Sequence, residues 1–582
     1  MKSKRRVLIL FGTQTGNAED VADRIGRYVT RMHCKAQIIN INDFPVTSLV
    51  HESLAIFVCS TTGNGEFPDN MKSFWKFMLR KNLPKNSLCH MNFCVFGLGD
   101  SSYEKFNVVS KKLNKRLLQL GAVELIPLTL GDDQHELGYD AALDPWLLKL
   151  NNILKEFYNL PDSFIPQDIP LPPKYTVKFS EESSSLIDSA IYDRNTSFPL
   201  ATLKRNVRVT ADDHFQAVHL LEFEIDSDVF YDSGDVAVVW PENPPAEVEE
   251  FLLLLNVPSD TIFTLVPSDS NISLPKINPY PCTVRQCASS YFDIMSVPRR
   301  SFFEIFRLFS QDELEKEKLE EFTTALGQEE LYDYCNRPRR TILEVLKDFP
   351  HTTPHVPFEY LFDMIPSIRP RSFSIASSLQ AHPQEFQLLV AVVEYKTRLK
   401  KPRQGLCSNW ITGLKPGATI PFSIKNGSIM LPESDVPIIL IGPGTGCAPF
   451  RSFIEKRALS TIGDNYLFFG CRYKTKDFFF AEEWTKLCEK KLLNIFTAFS
   501  RDQEDKIYVQ HRIKENSSLM WDLIQNKNAA IYIAGNAKQM PQGVKDAFLE
   551  IIKKEGGLSQ EESERYLRTL ENMKRYQIET WA

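Results

Sequence analysis

The chain is 582 residues long, 43% hydrophobic and 24% charged, an ordinary globular make-up with room for three or four domains of roughly 150 residues. A net charge of −6 excludes the basic field that nucleic-acid binding requires, and no apolar run approaches the roughly 18 residues of a membrane span. Eleven cysteines without a Cys-x-x-Cys pair, and ten scattered histidines, fit no metal template and no disulfide framework, so free thiols in the cytosol and no metal site are expected.

The basic start at 1–6 and the apolar run at 7–11 resemble a signal peptide, but the apolar part is short and no small-residue cleavage site follows. It reads instead as a first strand. Further strands are expected at 36–41, 54–59, 91–96 and 123–130, with helical spacing at 18–32. Five strands with intervening helices imply a doubly wound parallel sheet in residues 1–160, whose ligand sits beyond the strands' carboxyl ends. Four polar loops leave that edge. The first comprises Thr13, Gln14, Thr15, Gly16, Asn17 and Ala18. It offers hydroxyls and a glycine but no cation, so a phosphate there is held by backbone N–H groups, hydroxyls and the helix dipole. The second begins Ser60, Thr61, Thr62 and Gly63 and runs to Phe67. The third comprises Leu98, Gly99, Asp100, Ser101, Ser102, Tyr103, Glu104, Lys105, Phe106 and Asn107, and the fourth spans 131–136. One glycine-hydroxyl loop is often an ordinary turn; four after successive strands are much stronger.

This region resembles flavodoxin, and specifically the FMN domain of the diflavin reductases. The resemblance implies that loop 13–18 binds the FMN phosphate, that 60–63 and 98–107 embrace the ring, that Tyr103 stacks on it and that Asp133 is a contact. Thr62 stands where relatives with cytochrome-type acceptors usually carry a second aromatic, so stacking is expected from one side unless Phe67 folds over.

Residues 161–200 are proline-rich at 161–173 and polar at 179–197, and read as a linker that lets the first domain swing. In 201–430, strands are expected at 203–210, 218–225, 236–241 and 385–395, and helices at 245–256 and through much of 302–349. This pattern suggests an antiparallel barrel with a helical insertion. Within it, Arg371, Ser372, Phe373 and Ser374 offer a cation fork for pyrophosphate, an aromatic face for a flat ring and a hydroxyl. As a strand, the stretch is expected to line one surface with Arg371, Phe373 and Ser374. Gly405, Leu406, Cys407 and Ser408 open a helix whose N–H groups can meet a pyrophosphate. Arg-x-Phe-Ser and Gly-x-x-Ser look like the FAD signatures of the ferredoxin–NADP reductase family. By that likeness Arg371 binds the FAD pyrophosphate, Phe373 stacks on the ring, Ser374 bonds near N5, Gly405–Ser408 close over the phosphates, and Arg339 is a further FAD contact.

In 431–582 an apolar strand at 436–441 runs into the glycine-rich loop 442–451, and further parallel strands are expected at 466–470, 493–499 and 530–534. A Rossmann-like domain should follow. NAD enzymes place a carboxylate against the ribose hydroxyl; here Ser500 and Arg501, then Lys506, Ile507, Tyr508, Val509 and Gln510 stand instead, which suits a 2′-phosphate and hence NADPH. The segments Phe-Gly-Cys-Arg at 469–472 and Ala-Gly-Asn at 534–536 resemble the family's NADP-binding domain, with Thr445 at a pyrophosphate contact. Trp581 matches the aromatic that covers the FAD face in diflavin reductases. By the resemblance, Ala534 stands where microsomal relatives carry a cysteine near the nicotinamide, Glu579 where they carry aspartate, and Gly543 at a position that often holds a coenzyme-contacting aspartate.

The resemblance covers nearly the whole chain and is nearest the cytosolic branch of the cytochrome P450 reductase-like family. It implies cofactors FMN, FAD and NADPH, an electron path from NADPH through FAD and FMN to a protein acceptor, and catalytic roles for Ser374, Glu579 and Trp581. It also implies an acceptor of the anamorsin type, an iron–sulfur protein of cytosolic cluster assembly. Asp132, Asp133, Glu136 and Asp140 are an expected acidic docking rim. The competing expectations are a reductase for a haem protein, a redox-inactive scaffold that keeps the fold, and a simple quinone reductase.

Overall fold

Strands that are apolar on both faces need a helix layer on each side, and the runs at 7–11, 54–59 and 93–98 have this character. In the computed structural model, β1 (Arg6–Gly12), β2 (Lys35–Asn40), β3 (Leu54–Ser60), β4 (Asn92–Gly99) and β5 (Val123–Asp132) form a parallel sheet in the order β2-β1-β3-β4-β5. Val7 and Ile9 of β1 face α1 (Asn17–Arg31) and α4 (Asp140–Tyr158), whereas Leu8 and Leu10 face α2 (Lys72–Met78) and α3 (Val108–Gln119). The structure describes every residue except 1–4, 64, 104, 181–197, 270–271, 278–279, 433–435 and 582. Glu104 of the expected third loop, and residues 181–197 of the expected linker, lie outside the described residues.

The chain divides into two compact units. One gathers Met1–Tyr192, Asn243–Ile368 and Thr397–Lys400; the other gathers Asp193–Glu242, Arg369–Lys396 and Lys401–Ala582. The helical insertion therefore belongs with the flavodoxin-like sheet. Its core is dense in phenylalanine, with Phe292, Phe302, Phe303 and Phe306 buried among short helices such as Arg300–Phe306 and Ile342–Asp348.

The described part of the expected linker is not a free tether. Tyr175–Ser180 is a strand paired antiparallel with Ile262–Pro267, whose other edge carries Cys282–Thr283. Before it, the Ile165 N–H donates to Arg31 O, Arg307 donates to Gln167 O and Tyr360 to Leu171 O. Proline runs lack periodicity and so look like linker in sequence, but their carbonyls remain acceptors that arginines and tyrosines can hold.

In the second unit, six strands run in the order Arg371–Ser374, Val236–Val239, Thr419–Lys425, Leu200–Arg208, Val218–Glu224 and Glu385–Ala391. A bridge between Ile375 and Leu388 links the two ends, so the expected antiparallel barrel is present. The expected strand at 385–395 breaks into Glu385–Ala391 and Glu394–Tyr395. The carboxyl-terminal part is a parallel sheet ordered Asn494–Phe499, Asn465–Cys471, Ile438–Ile441, Ala530–Asn536 and Tyr576–Trp581. Its last strand was not anticipated from sequence.

Candidate functional site

Loop 13–18 is held in shape by its own side chains. Thr13 is buried; its N–H donates to Asn70 Oδ1 (2.8 Å) and its hydroxyl accepts the Gly16 N–H (2.9 Å). Gln14 exchanges bonds with Asp69, accepting its N–H (3.0 Å) and donating to its carboxylate (3.2 Å). Gly16 caps α1 in the left-handed region (φ 93°), with no side-chain cap. A residue with a Cβ is strained there, and the first-turn N–H groups of a 15-residue helix are left to a ligand. These donors, with the exposed hydroxyl of Thr15, suit a phosphate.

The second and third loops meet beside it. The Thr61 N–H donates to Leu98 O (2.9 Å), the Thr61 hydroxyl accepts from Val109 N (3.4 Å), and the Ser60 hydroxyl donates to Gly12 O (3.3 Å). Thr62 and Glu66 exchange both backbone bonds and close a tight hairpin around Gly63. Asp100 accepts from the Ser102 N–H (2.8 Å) and hydroxyl (2.6 Å), and the Tyr103 N–H donates to Asp100 O (3.2 Å), leaving the Tyr103 ring half-buried. Lys105 lies over Gly65, and the Phe106 ring sits under Lys111 at 5.3 Å. Asn107 is fully buried with φ 53° and donates to Gly131 O (3.0 Å), which ties the third loop to the fourth.

Two expectations fail here, those that put Asp140 and Asp132 on a docking rim, and the condition set on Phe67 is not met. Phe67 is stacked on Trp75, with centroids 4.5 Å apart and planes within 16°, so it does not fold over the ring site. Asp140 is buried against Arg24 rather than exposed on a docking rim. Asp132 is committed to loop structure, accepting from Ser101 N (2.9 Å) and Gln134 N (3.1 Å). Burial pushes its carboxyl up, but these hydrogen bonds outweigh it and hold Asp132 below the ordinary range. Asp133 and Glu136 remain exposed. Loss of water around the Asp133 carboxylate, although the residue is exposed, and then Asp100 raise it, against the charge of Arg339. Arg339, expected as an FAD contact, thus lies where its charge reaches the fourth loop.

In the second unit, the four residues of Arg371–Ser374 pair antiparallel with Val236–Val239. Strand alternation puts Arg371 and Phe373 on one face and Ser372 and Ser374 on the other, so the expected single surface is not formed. Phe373 packs on the barrel core, and Ser374 Oγ lies 3.5 Å from Glu579 Oε2. Glu579 and Trp581 are alternate residues of Tyr576–Trp581, so Trp581 projects from the same face as the carboxylate. Gly405 caps the helix Leu406–Gly413 with no side-chain bond. Burial pushes the Cys407 thiol up to about 12, against the charge of Arg371. Ser408 is turned inward, accepting from Val393 N (3.0 Å), and so shapes the turn rather than facing a phosphate.

At the glycine-rich loop, Gly446 approaches the last strands so closely that a Cβ would stand 2.2 Å from Ala534 O. Thr445 is part-exposed on the same turn, ahead of the helix Ala448–Leu459. Arg501 and Lys506 are exposed, and neither side chain has an ion-pair partner among the described residues. Asp502, the nearby carboxylate, instead accepts the Lys474 N–H (2.9 Å). Tyr508 and Gln510 flank this strand end, with Gln510 Nε2 3.3 Å from where a Gly543 Cβ would be. Val509 is buried and Ile507 packs on the same core, so both are framework. Ser500 is also buried.

These three sites, each an open helix end beside hydroxyls, cations or aromatic groups, define a reductase with two flavin modules and a nicotinamide-coenzyme module. Residues 9–146 match the flavodoxin family, 193–410 the FAD binding domain family and 440–546 the oxidoreductase NAD-binding domain family. The chain is 51% identical to NADPH-dependent diflavin oxidoreductase 1 of Xenopus laevis, over all of both chains. It is 49% identical to the protein of that name from Mus musculus, over 99% of each, and 40% identical to that from Arabidopsis thaliana, over all of both. The chain belongs to the NADPH-dependent diflavin oxidoreductase family. It is an oxidoreductase that uses FMN, FAD and NADP(H), and no described helix is long and apolar enough to cross a membrane.

Proposed function

We propose that the chain passes electrons from NADPH through FAD and FMN to an iron–sulfur acceptor of the anamorsin type, in cytosolic iron–sulfur cluster assembly. The observation that carries the electron path is the coexistence, in one chain, of three open helix ends in three family-matched modules. The flavins supply the step from two-electron to one-electron transfer; the protein supplies binding, orientation and shielding. Loop 13–18 holds the FMN phosphate, loops 60–63 and 98–107 bracket its ring with Tyr103 as the stacking aromatic, and Asp133 lies at its edge. With Phe67 committed to Trp75, Tyr103 is the aromatic that would stack on the ring.

Arg371 and the N–H groups that follow Gly405 hold the FAD pyrophosphate, and Phe373 packs beside its ring. Ser374 and Glu579 form the polar pair at which a proton is held or moved, and Trp581 covers the face that nicotinamide must reach. Thr445 and the Gly446 turn take the coenzyme pyrophosphate; Arg501 and Lys506 take the 2′-phosphate, with Tyr508 and Gln510 beside them. The cytosolic placement draws on eleven cysteines that are all free thiols. The acceptor draws on the family resemblance and on the exposed Asp133 and Glu136 near the third and fourth loops.

Flavins released from purified protein, and reduction of a purified [2Fe–2S] acceptor compared with a haem protein, test the proposal. Equal FAD and FMN with faster reduction of the iron–sulfur protein support it. Faster reduction of the haem protein would overturn the acceptor, and absence of one flavin after reconstitution would overturn the path.

A further inference from the structure

A phosphate loop without a cation of its own leaves a double negative charge to dipoles alone, and the helical lobe brings a cation to that loop. Arg299, at the cap of the helix Arg300–Phe306, donates from Nη2 to Asn17 Oδ1 (3.0 Å) and Thr15 O (3.4 Å), and from Nε to Asn17 Oδ1 (3.2 Å). Its Nη1 has no partner among the described residues and is free to donate to a ligand. The position is built rather than incidental. Ser301 donates to Asp20 of α1, Arg300 Nη1 donates to Asp144 Oδ2 (2.7 Å) and Gln328 donates to Leu137 O (2.7 Å). Buried Arg24 of α1 pairs at once with Asp140, with Asp144 and, at 3.1 Å, with Glu304 of the lobe helix. These bonds hold the lobe helix against α1 and fix the guanidinium over the 13–18 loop.

We propose that Arg299 is a further FMN-binding residue, giving the phosphate from the helical lobe the positive charge its own loop lacks. Guanidinium groups bind phosphate with short charge-assisted bonds, and a second fork edge remains available once Asn17 is engaged. FMN retention is then coupled to docking of the flavodoxin-like domain on the lobe, because the charge reaches the phosphate only when the two are together. By linkage, each event strengthens the other by the same factor. The proposal rests on the assignment of the phosphate to loop 13–18.

Full-length protein stripped of FMN is titrated with FMN and with riboflavin, which lacks the phosphate, and flavin fluorescence gives each dissociation constant. Arg299→Gln is expected to weaken FMN binding by about tenfold and to flatten its salt dependence, with riboflavin unchanged. Arg337→Gln, on an exposed arginine of the same lobe paired with Asp333 and Glu329, is expected to change neither. FMN affinity within about twofold of wild type in R299Q overturns the proposal, as does an equal loss of riboflavin, which would mean a loosened lobe. Thr15→Val separates the premise from the inference. Weakening in T15V alone rejects Arg299 and keeps the phosphate site, whereas no effect in either variant rejects the site itself. If R299Q does not fold, Arg299→Met, which keeps the aliphatic stem, carries the same expectations.

Discussion

Coenzyme choice comes down to single side chains. Arg501 and Lys506 are exposed without an ion-pair partner among the described residues, whereas the competing Asp502 is tied down by the Lys474 N–H. A charge-assisted bond to phosphate contributes about 1.5–3 kcal/mol, roughly ten- to a hundredfold in affinity. Arg501→Gln is therefore expected to raise the KM for NADPH by at least about tenfold, while the KM for NADH stays within about twofold; steady-state kinetics with both coenzymes decide it. An equal rise for both would place Arg501 elsewhere. The placement of this pair after a strand was legible in sequence because it depends only on local order. Other residues were not. Thr13, Gln14 and Ser408 look like ligand hydroxyls or amides, yet their bonds go to Gly16, Asp69 and Val393. A hydroxyl in a motif can serve the ligand or the loop, and sequence alone does not separate the two. Arg299 was missed for the opposite reason: it lies some 280 residues from the loop it touches. The only sequence signal was the loop's lack of a cation.

At the scale of elements, one helix organises the second unit. From Ala448–Leu459, Arg451 donates to Ala376 O (2.8 Å) and Gln387 Oε1 (2.8 Å) and pairs with Glu455 and Glu483, while Ser452 donates to Ser377 O (2.8 Å). The nicotinamide-coenzyme module is thereby fastened to the barrel. His382 adds to this joint through Glu455, with Nε2 to Oε1 at 3.1 Å. The Glu455 hydrogen bond raises the His382 imidazole above its ordinary range; burial and Arg451 oppose it, and Glu385 adds to it. The sign follows: this stabilisation is fully present below the unfolded-state value near 6.5 and is lost as pH rises through the higher folded value. Melting of the barrel and coenzyme module is expected at higher temperature at pH 6 than at pH 9, with a flatter dependence in His382→Gln. Identical pH profiles would show that the pair contributes nothing. Close approach sets a second constraint, at the glycine-rich loop. Gly446→Ala puts a methyl 2.2 Å from Ala534 O, so the turn must open. Overpacking of this kind costs about 1–3 kcal/mol, and weaker NADPH binding by about tenfold or more is expected in calorimetry, with FAD content unchanged. Sequence showed the strand–loop–helix order here, because period and glycine punctuation are local signals. The partner surfaces of the helix came from distant residues and were invisible in it.

At the scale of the whole molecule, the question is where the amino-terminal module ends. Composition places the boundary in the proline-rich stretch after 160, but the chain there is already engaged with the helical lobe. The Lys174 N–H donates to Asp363 Oδ2 (3.1 Å) and Lys174 Nζ to Asp23 Oδ2 (2.7 Å), so one residue bonds both the lobe and α1. From Tyr175 to Ser180 the chain is an edge strand of the lobe, with Tyr175 and Val177 packed into its phenylalanine core. A truncation that removes the flavodoxin-like sheet yet starts at 174 keeps this strand; one that starts at 198 strips it. The second exposes the backbone edge of Ile262–Pro267 and leaves gaps beside Phe263 and Phe362. Loss of two packed side chains and six paired residues is expected to cost at least about 3–5 kcal/mol, the scale of a large aromatic deletion from a core. The shorter chain should melt well below the longer one, bind a hydrophobic dye and precipitate. The longer chain should keep FAD and reduce ferricyanide from NADPH while failing to reduce any acceptor that needs FMN. Equal melting temperatures for the two truncations would show that the strand belongs to the connection and not to the lobe. Full reduction of the protein acceptor by the longer chain would show that the flavodoxin-like module is not its outlet.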